Sequence, residues 1–158
     1  MASIMANHNV EGHFVVLLRL WTSDVWRTVW ESLEIEVESF ERLGLPYNTS
    51  DRDLWELCQQ REIVLLTANR NDEGPASLEA TIRTLNTPSS LPVLTIADPE
   101  LVLASRDYAE RVAVQALEYL LELDHFRGVG RSVCPMNYAG SAALRAANGS
   151  WTPQILRS

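Results

Sequence analysis

Two uninterrupted apolar runs constrain the fold of this chain more than any other feature. Residues 63–67 and 92–96 contain no charged side chain, which is typical of strands that are buried on both faces of a parallel sheet. The segment between them includes a helical pattern at 76–85. Strands that alternate with helices indicate a parallel sheet with right-handed crossovers and helices on both faces. We therefore predict a single α/β domain with a mostly parallel sheet of four or five strands.

The remaining segments fit the same alternation. A short apolar run at 3–6 predicts a first strand, and the strict alternation at 33–38 predicts a half-exposed strand at a sheet edge. Residues 131–134 are a candidate for a last short strand. Apolar residues at helical spacing predict helices at 11–21, about 23–32 and 106–126, the last ended by Gly128 and Gly130. Ser50 is a candidate N-cap for a further helix that begins at Asp51.

Length and composition bound the class of protein. The chain has 158 residues, 46% of them apolar, which is enough for one domain with a buried core. Neither a membrane span nor a secretory signal is evident in the sequence, and two cysteines are too few for a disulfide framework. We expect a cytoplasmic protein with reduced thiols. We place the domain at residues 1–135, and we expect 136–158, which has no acidic residue, to be a weakly ordered tail.

The charge is acidic and uneven along the chain. The formal net charge is −8, and all of the acidic residues precede residue 125. Tight binding of nucleic acid needs arginine or lysine on the phosphates, so the acidic body gives no such footprint. It suits a site that gathers divalent cations, and a basic partner is equally compatible with it.

Polar residues follow the predicted strands at three points. Asn7, His8 and Asn9 follow the first strand, Asp51 begins a helix, and residues 69–72 follow the strand at 63–67. In a parallel sheet such positions meet at one edge. Carboxylates gathered there would hold Mg²⁺ or Mn²⁺, which would activate a water molecule. Each position also has a plain structural explanation, because Asn favours turns and Asp favours helix starts.

The order of these motifs resembles that of the PIN-like domains of the DUF5615 and Mut7-C type, which are similar to the nuclease toxins of bacterial toxin–antitoxin pairs. The resemblance covers about residues 2–135 in element order, and its motifs are short. In that family the first turn usually reads Asp-Glu-Asn-Leu and the second helix motif opens with Asp. The third strand ends Leu-Leu-Thr-x-Asp-x-Asp.

The resemblance assigns roles to positions in this sequence. Asp51 matches the second acid, whereas Asn7, Asn69 and Asn71 stand where the family has Asp. An alternative alignment places the third acid on Ala68. Three nearby carboxylates would partly compensate for the lost negative charge: Asp53, Asp72 and Glu73. Because an amide oxygen supplies no charge, these replacements should weaken metal binding severely.

Two functions follow as alternatives. The first is a Mg²⁺- or Mn²⁺-dependent ribonuclease, with Asp51, Asn7 and Asn69 as catalytic residues. The metal ligands of this enzyme would be Asp51, Asn7, Asn69, Asn71 and Asp72. The residues that contact its RNA substrate would be Arg70, His8 and Asn9. The second is a catalytically impaired PIN-like module that binds RNA or a protein partner, through the same cleft or a tryptophan-bearing apolar surface. An antitoxin-like partner and a homodimer are both compatible with the sequence, and no membrane association is expected.

Overall fold

One parallel sheet organises the domain. The structure is a computed structural model that describes residues 2–68 and 77–135. In these residues five strands pair in the order β2-β1-β3-β4-β5, and all four pairings are parallel. The strands are β1 (Ser3–Ala6), β2 (Glu36–Glu38), β3 (Ile63–Ala68), β4 (Val93–Ile96) and β5 (Arg131–Cys134). The prediction of an α/β fold with a parallel sheet is confirmed, with five strands.

Seven α-helices in the described part of the chain connect the strands. They are α1 (Glu11–Trp21), α2 (Arg27–Ser32), α3 (Phe40–Leu43), α4 (Asp51–Gln60), α5 (Leu78–Leu85), α6 (Pro99–Ala104) and α7 (Arg106–Leu121). Short 3₁₀ helices follow β1 at His8–Val10 and α7 at Leu123–Phe126. The helix predicted at 106–126 therefore ends earlier, with a tighter final turn. The helix predicted at 23–32 begins only at Arg27.

Side-chain caps begin most of these helices. The Ser50 hydroxyl accepts a hydrogen bond from the backbone N–H of Asp53 at 3.1 Å, as the sequence predicts. Ser39, Ser77 and Ser105 cap α3, α5 and α7 in the same way. Such caps satisfy backbone donors that the first helical turn leaves without partners.

The sheet is buried on both faces. Ile4 and Ala6 of β1 belong to one apolar core with α1, α2, α6 and α7, whereas Met5 belongs to a second core with α3, α4 and α5. The six residues of β3 are all buried. Alternate residues of one strand thus point into different helical layers, which explains why β3 reads as an uninterrupted apolar run.

The strand order determines where a ligand site would form. The chain passes from β1 outwards to β2, returns to pair β3 with β1, and then continues to β4 and β5 on the other side. In open parallel sheets, ligands bind beyond the carboxyl ends of the strands where the order reverses, here between β1 and β3. The register aligns Ala6 with Leu66, so both strands end close together at this edge.

The opposite, amino-terminal edge contains two unusual turns. Glu34, before β2, and Glu62, before β3, adopt left-handed backbone conformations with φ of 52° and 55°. The predicted strand at 33–38 is shorter than expected because the left-handed turn at Glu34 delays its start to Glu36. At this same edge, the Gln59 side chain both donates to the carbonyl of Leu91 (3.0 Å) and accepts from its N–H (2.8 Å), which ties α4 to the start of β4.

Candidate functional site

Asn7 lies at the carboxyl end of β1 and is only 5% exposed. Its backbone N–H donates to the carbonyl of Leu66 at 2.8 Å, so it extends the pairing of β1 with β3. Its side-chain oxygen accepts a hydrogen bond from the backbone N–H of His8 at 2.7 Å and caps the 3₁₀ helix. The position predicted for the first acid of a metal site therefore holds a buried amide whose oxygen already serves as a cap.

An aromatic cluster adjoins this position. The His8 ring makes T-shaped contacts with the rings of Phe40 and Tyr47. The distances between ring centroids are 5.9 Å to Phe40 and 6.4 Å to Tyr47. Phe40 and Tyr47 stack on each other at 5.3 Å with an interplanar angle of 19°. Phe40 is buried, whereas His8 is exposed and Tyr47 is 59% exposed. Two aromatic rings are thus held against a rigid base and open to solvent beside the end of β1.

Asn9 and His13 contribute polar atoms near the same end of the sheet. The Asn9 side-chain oxygen and the His13 Nδ1 atom are buried, and neither forms a hydrogen bond with the described residues. Buried polar atoms usually have partners. The side-chain oxygen of Asn9, a predicted RNA contact, is thus shielded from solvent.

Asp51 is the first residue of α4 and is half-buried. Helix α4 leads into the amino end of β3, so its own start lies towards the carboxyl ends of the strands. The contact between Tyr47 and His8 brings the segment before α4 to the end of β1. Asp51 therefore lies on the side of the sheet that the sequence predicts.

Asp98 is a carboxylate that sequence reasoning did not assign to the site. It follows β4, the neighbour of β3, and its side chain caps α6 through the N–H of Leu101 at 3.4 Å. Its backbone N–H donates to the Tyr108 hydroxyl at 3.0 Å. The Asp-Pro pair at 98–99 signals a helix start, and the strand order adds that this start lies at the same edge as Asn7.

The other predicted ligands lie outside the described residues. These are Asn69, Arg70, Asn71 and Asp72, of which Asn69 directly follows the last residue of β3 in the chain. Within residues 2–68 and 77–135, no three or more His, Cys, Asp or Glu side chains are grouped so that they could hold a metal ion. Two members of the predicted ligand set lie in the described part of the chain. They are the carboxylate Asp51 and the amide Asn7, whose oxygen caps the 3₁₀ helix. These residues by themselves do not fit a divalent-metal site.

Both cysteines and the four tryptophans of the described residues pack into or against the apolar cores. Cys58 and Cys134 are free and buried, and burial raises the pKa of the Cys58 thiol to about 12. Trp21 is fully buried and donates its ring N–H to the carbonyl of Ala113 at 2.9 Å. Trp26 and Trp55 are also buried, and Trp30 stacks on Trp21 at 4.8 Å. Three of these four residues are buried and Trp30 packs, partly buried, against the same core as Trp21.

Comparisons with protein-family models, with curated proteins and with solved structures give no match to this chain. No helix in the described part of the chain is both long and apolar enough to cross a bilayer.

Proposed function

We propose that this chain is a PIN-like module that binds single-stranded RNA at the carboxyl edge of β1 and β3 and is impaired in cleaving it. The observation that carries the proposal is the state of Asn7. It stands at the end of β1, beside β3, as a buried neutral side chain whose oxygen accepts from His8. A neutral amide thus stands at the carboxyl edge of the sheet where the family resemblance expects an acid.

The chemistry at Asn7 disfavours hydrolysis. A hard cation such as Mg²⁺ is held by carboxylate charge and oxygen ligands. An amide oxygen adds no charge, and the Asn7 oxygen would have to share its lone pairs with the His8 N–H. Asp51 would then be the main source of negative charge from the described ligand positions.

The exposed rings favour single-stranded RNA as the ligand. Unpaired bases stack on aromatic side chains, and each such contact contributes about 1–3 kcal/mol without regard to base identity. Tyr47 has one face covered by Phe40 and is 59% exposed, so it offers a platform that is already ordered. Arg70, next in sequence to Asn69, is the proposed phosphate contact.

The acidic charge of the chain bounds the expected affinity. A net charge of −8 opposes the approach of a polyanion, so stacking and local contacts must supply most of the binding free energy. We therefore expect weak binding with a shallow dependence on salt concentration. A steep dependence would instead indicate many arginine–phosphate contacts.

A working metal-dependent ribonuclease is the second candidate. The positions of Asp51 and Asp98 favour it, because both carboxylates lie towards the same edge of the sheet as Asn7. Residues 69–73 contain two further acids, Asp72 and Glu73. In this alternative, Asp51 would be indispensable, whereas the binding module needs no carboxylate there.

The two candidates separate in one set of experiments with purified protein. Binding of a labelled unstructured RNA is measured by fluorescence anisotropy for wild type, Tyr47→Ala and Tyr47→Phe. We expect saturable binding that weakens about tenfold in Tyr47→Ala and is retained in Tyr47→Phe, which keeps the ring. Absence of binding to wild type would refute the proposal.

Cleavage is assayed on the same RNA with Mg²⁺ or Mn²⁺, and Asp51→Asn serves as the control. Metal-dependent cleavage that is lost in Asp51→Asn would establish the ribonuclease instead. Cleavage that survives in this variant would refute the site assignment. The double variant Asn7→Asp/Asn69→Asp is the complementary test, since activity gained there would show that the amides silence the site.

A further inference from the structure

A groove lies in the helical layer that packs against the other face of the sheet from Phe40 of the aromatic cluster. It lies where α1, α6 and α7 meet and has a volume of about 310 Å³. Its walls are mainly apolar, formed by Val16 and Leu20 of α1, Val102 and Leu103 of α6, and Ala109 of α7. This volume is at the small end of ligand pockets and suits a few aliphatic side chains.

Two of the helices that form the groove carry exposed apolar side chains. Val15, Leu101 and Leu103 are 45%, 41% and 62% exposed, and all three belong to α1 or α6. Single exposed apolar residues are ordinary, but Leu103 also lines the groove, so its exposed surface adjoins the apolar walls. A partner that covers such side chains removes their apolar surface from water, which favours binding.

The charged residues in the groove wall are both arginines. Arg19 has no ion-pair partner within the described segments. The residues three and four positions away in the sequence are uncharged: Val15, Val16, Thr22 and Ser23. Arg106 pairs with Glu110 at 3.0 Å, but both side chains are largely exposed, so this pair is weak. Glu100 and Asp107 are also exposed on α6 and α7, outside the groove wall. The charged side chains that line the groove are therefore both cationic, and Arg19 is the one without an acidic partner among the described residues.

From this combination we infer that the α1–α6–α7 groove binds an acidic amphipathic helix of a partner protein. A helix in a groove presents apolar side chains at i, i+3, i+4 and i+7, which would contact Leu103 and its neighbours. Aspartate or glutamate residues flanking that stripe would pair with Arg19 and Arg106. The net charge of −8 disfavours a second copy as the occupant, because two acidic bodies repel each other.

The test uses the full chain and a displayed library of random 16-residue peptides. We expect selection to enrich peptides with apolar residues at helical spacing and a net negative charge. The best peptide is then synthesised, and its affinity is measured for Leu103→Asp and Arg19→Glu. Each change should weaken binding about tenfold, by placing a charge in the apolar contact or by reversing the charge at the rim.

Matched variants control for the introduced charges. Val25→Asp adds the same charge at a residue that is 68% exposed on another part of the surface, and Arg83→Glu reverses an exposed arginine of α5. Both should bind as wild type does. The inference is overturned if no peptide family is enriched, if the enriched peptides are basic, or if all four variants bind equally. Self-association of the protein that disappears in Leu103→Asp would also overturn it, because the occupant would then be a second copy.

Discussion

The side-chain oxygen of Asn7 accepts a hydrogen bond from the backbone N–H of His8 at 2.7 Å. This bond shapes the end of β1, because it caps the short helix that turns the chain into α1. His8, which donates this bond, is exposed, and its ring contacts Tyr47. One amide thus has a structural role at the position where the resemblance expects a catalytic acid.

The first prediction concerns this cap. Asn7→Ala removes the acceptor and should lower the free energy of unfolding by about 1 kcal/mol. Asn7→Asp keeps the acceptor and the shape of the side chain, so it should cost less than the alanine variant. Urea unfolding followed by tryptophan fluorescence measures both. An aspartate variant that is less stable than the alanine variant would show that desolvation of the charge outweighs the cap.

The second prediction concerns the left-handed glutamates. A non-glycine residue in this conformation is strained by roughly 1–2 kcal/mol. Glu34→Gly should therefore stabilise the protein, by about 0.5 kcal/mol after the greater freedom of glycine in the unfolded chain is counted. Glu62→Gly should raise the free energy of unfolding by less, because it also removes the ion pair between Glu62 and Arg127 at 2.9 Å. Thermal unfolding checks both variants, and a loss of stability in Glu34→Gly would contradict this backbone geometry.

The third prediction uses two glycines with positive φ. A Cβ at Gly130 would lie 2.9 Å from Cγ2 of Ile82, whereas a Cβ at Gly44 would meet no atom within 4 Å. Gly130→Ala should thus destabilise the protein by about 2 kcal/mol or more, and Gly44→Ala by about 1 kcal/mol from backbone strain alone. Denaturant unfolding measures the loss in free energy of unfolding for each variant. The difference between the two losses gives the cost of the steric clash at Gly130. Equal losses would contradict the close packing of β5 against α5.

The fourth prediction concerns alkaline pH. Burial raises the pKa of Cys58 from 9.0 to about 12 and that of Cys134 above its ordinary value. The thiols ionise near pH 9 in the unfolded chain but remain protonated in the folded one. The protonated thiols contribute fully to the free energy of unfolding below pH 9. This contribution is lost as pH rises towards the folded pKa values, by about 1.4 kcal/mol per pH unit for each thiol.

Urea unfolding at pH 8 and pH 10 measures this loss. Cys58→Ala should show a shallower fall in stability than wild type, even though it is less stable at pH 8 because of the cavity it leaves. The same slope in both proteins would mean that Cys58 is not protected from ionisation. Both thiols should also resist alkylation until the protein is unfolded.

The sequence predicts the fold better than it predicts the site. The aliphatic run in β3 and the serine caps have local causes, so their positions follow from residue type and spacing. Tyr47 is different. It lies in a polar loop between α3 and α4, and its proximity to His8 depends on how that loop packs against the end of β1. Glu34 is a similar case, because glutamate gives no signal for a left-handed turn and the start of β2 is therefore misplaced.

The central claim is tested most directly by the anisotropy of a labelled single-stranded RNA that is titrated with wild-type protein in Mg²⁺ and followed over time. The account predicts a saturable rise that then stays constant, because the RNA is bound and remains intact. A rise followed by a decay that is absent in Asp51→Asn would contradict it, since the protein would then be a ribonuclease that depends on this acid.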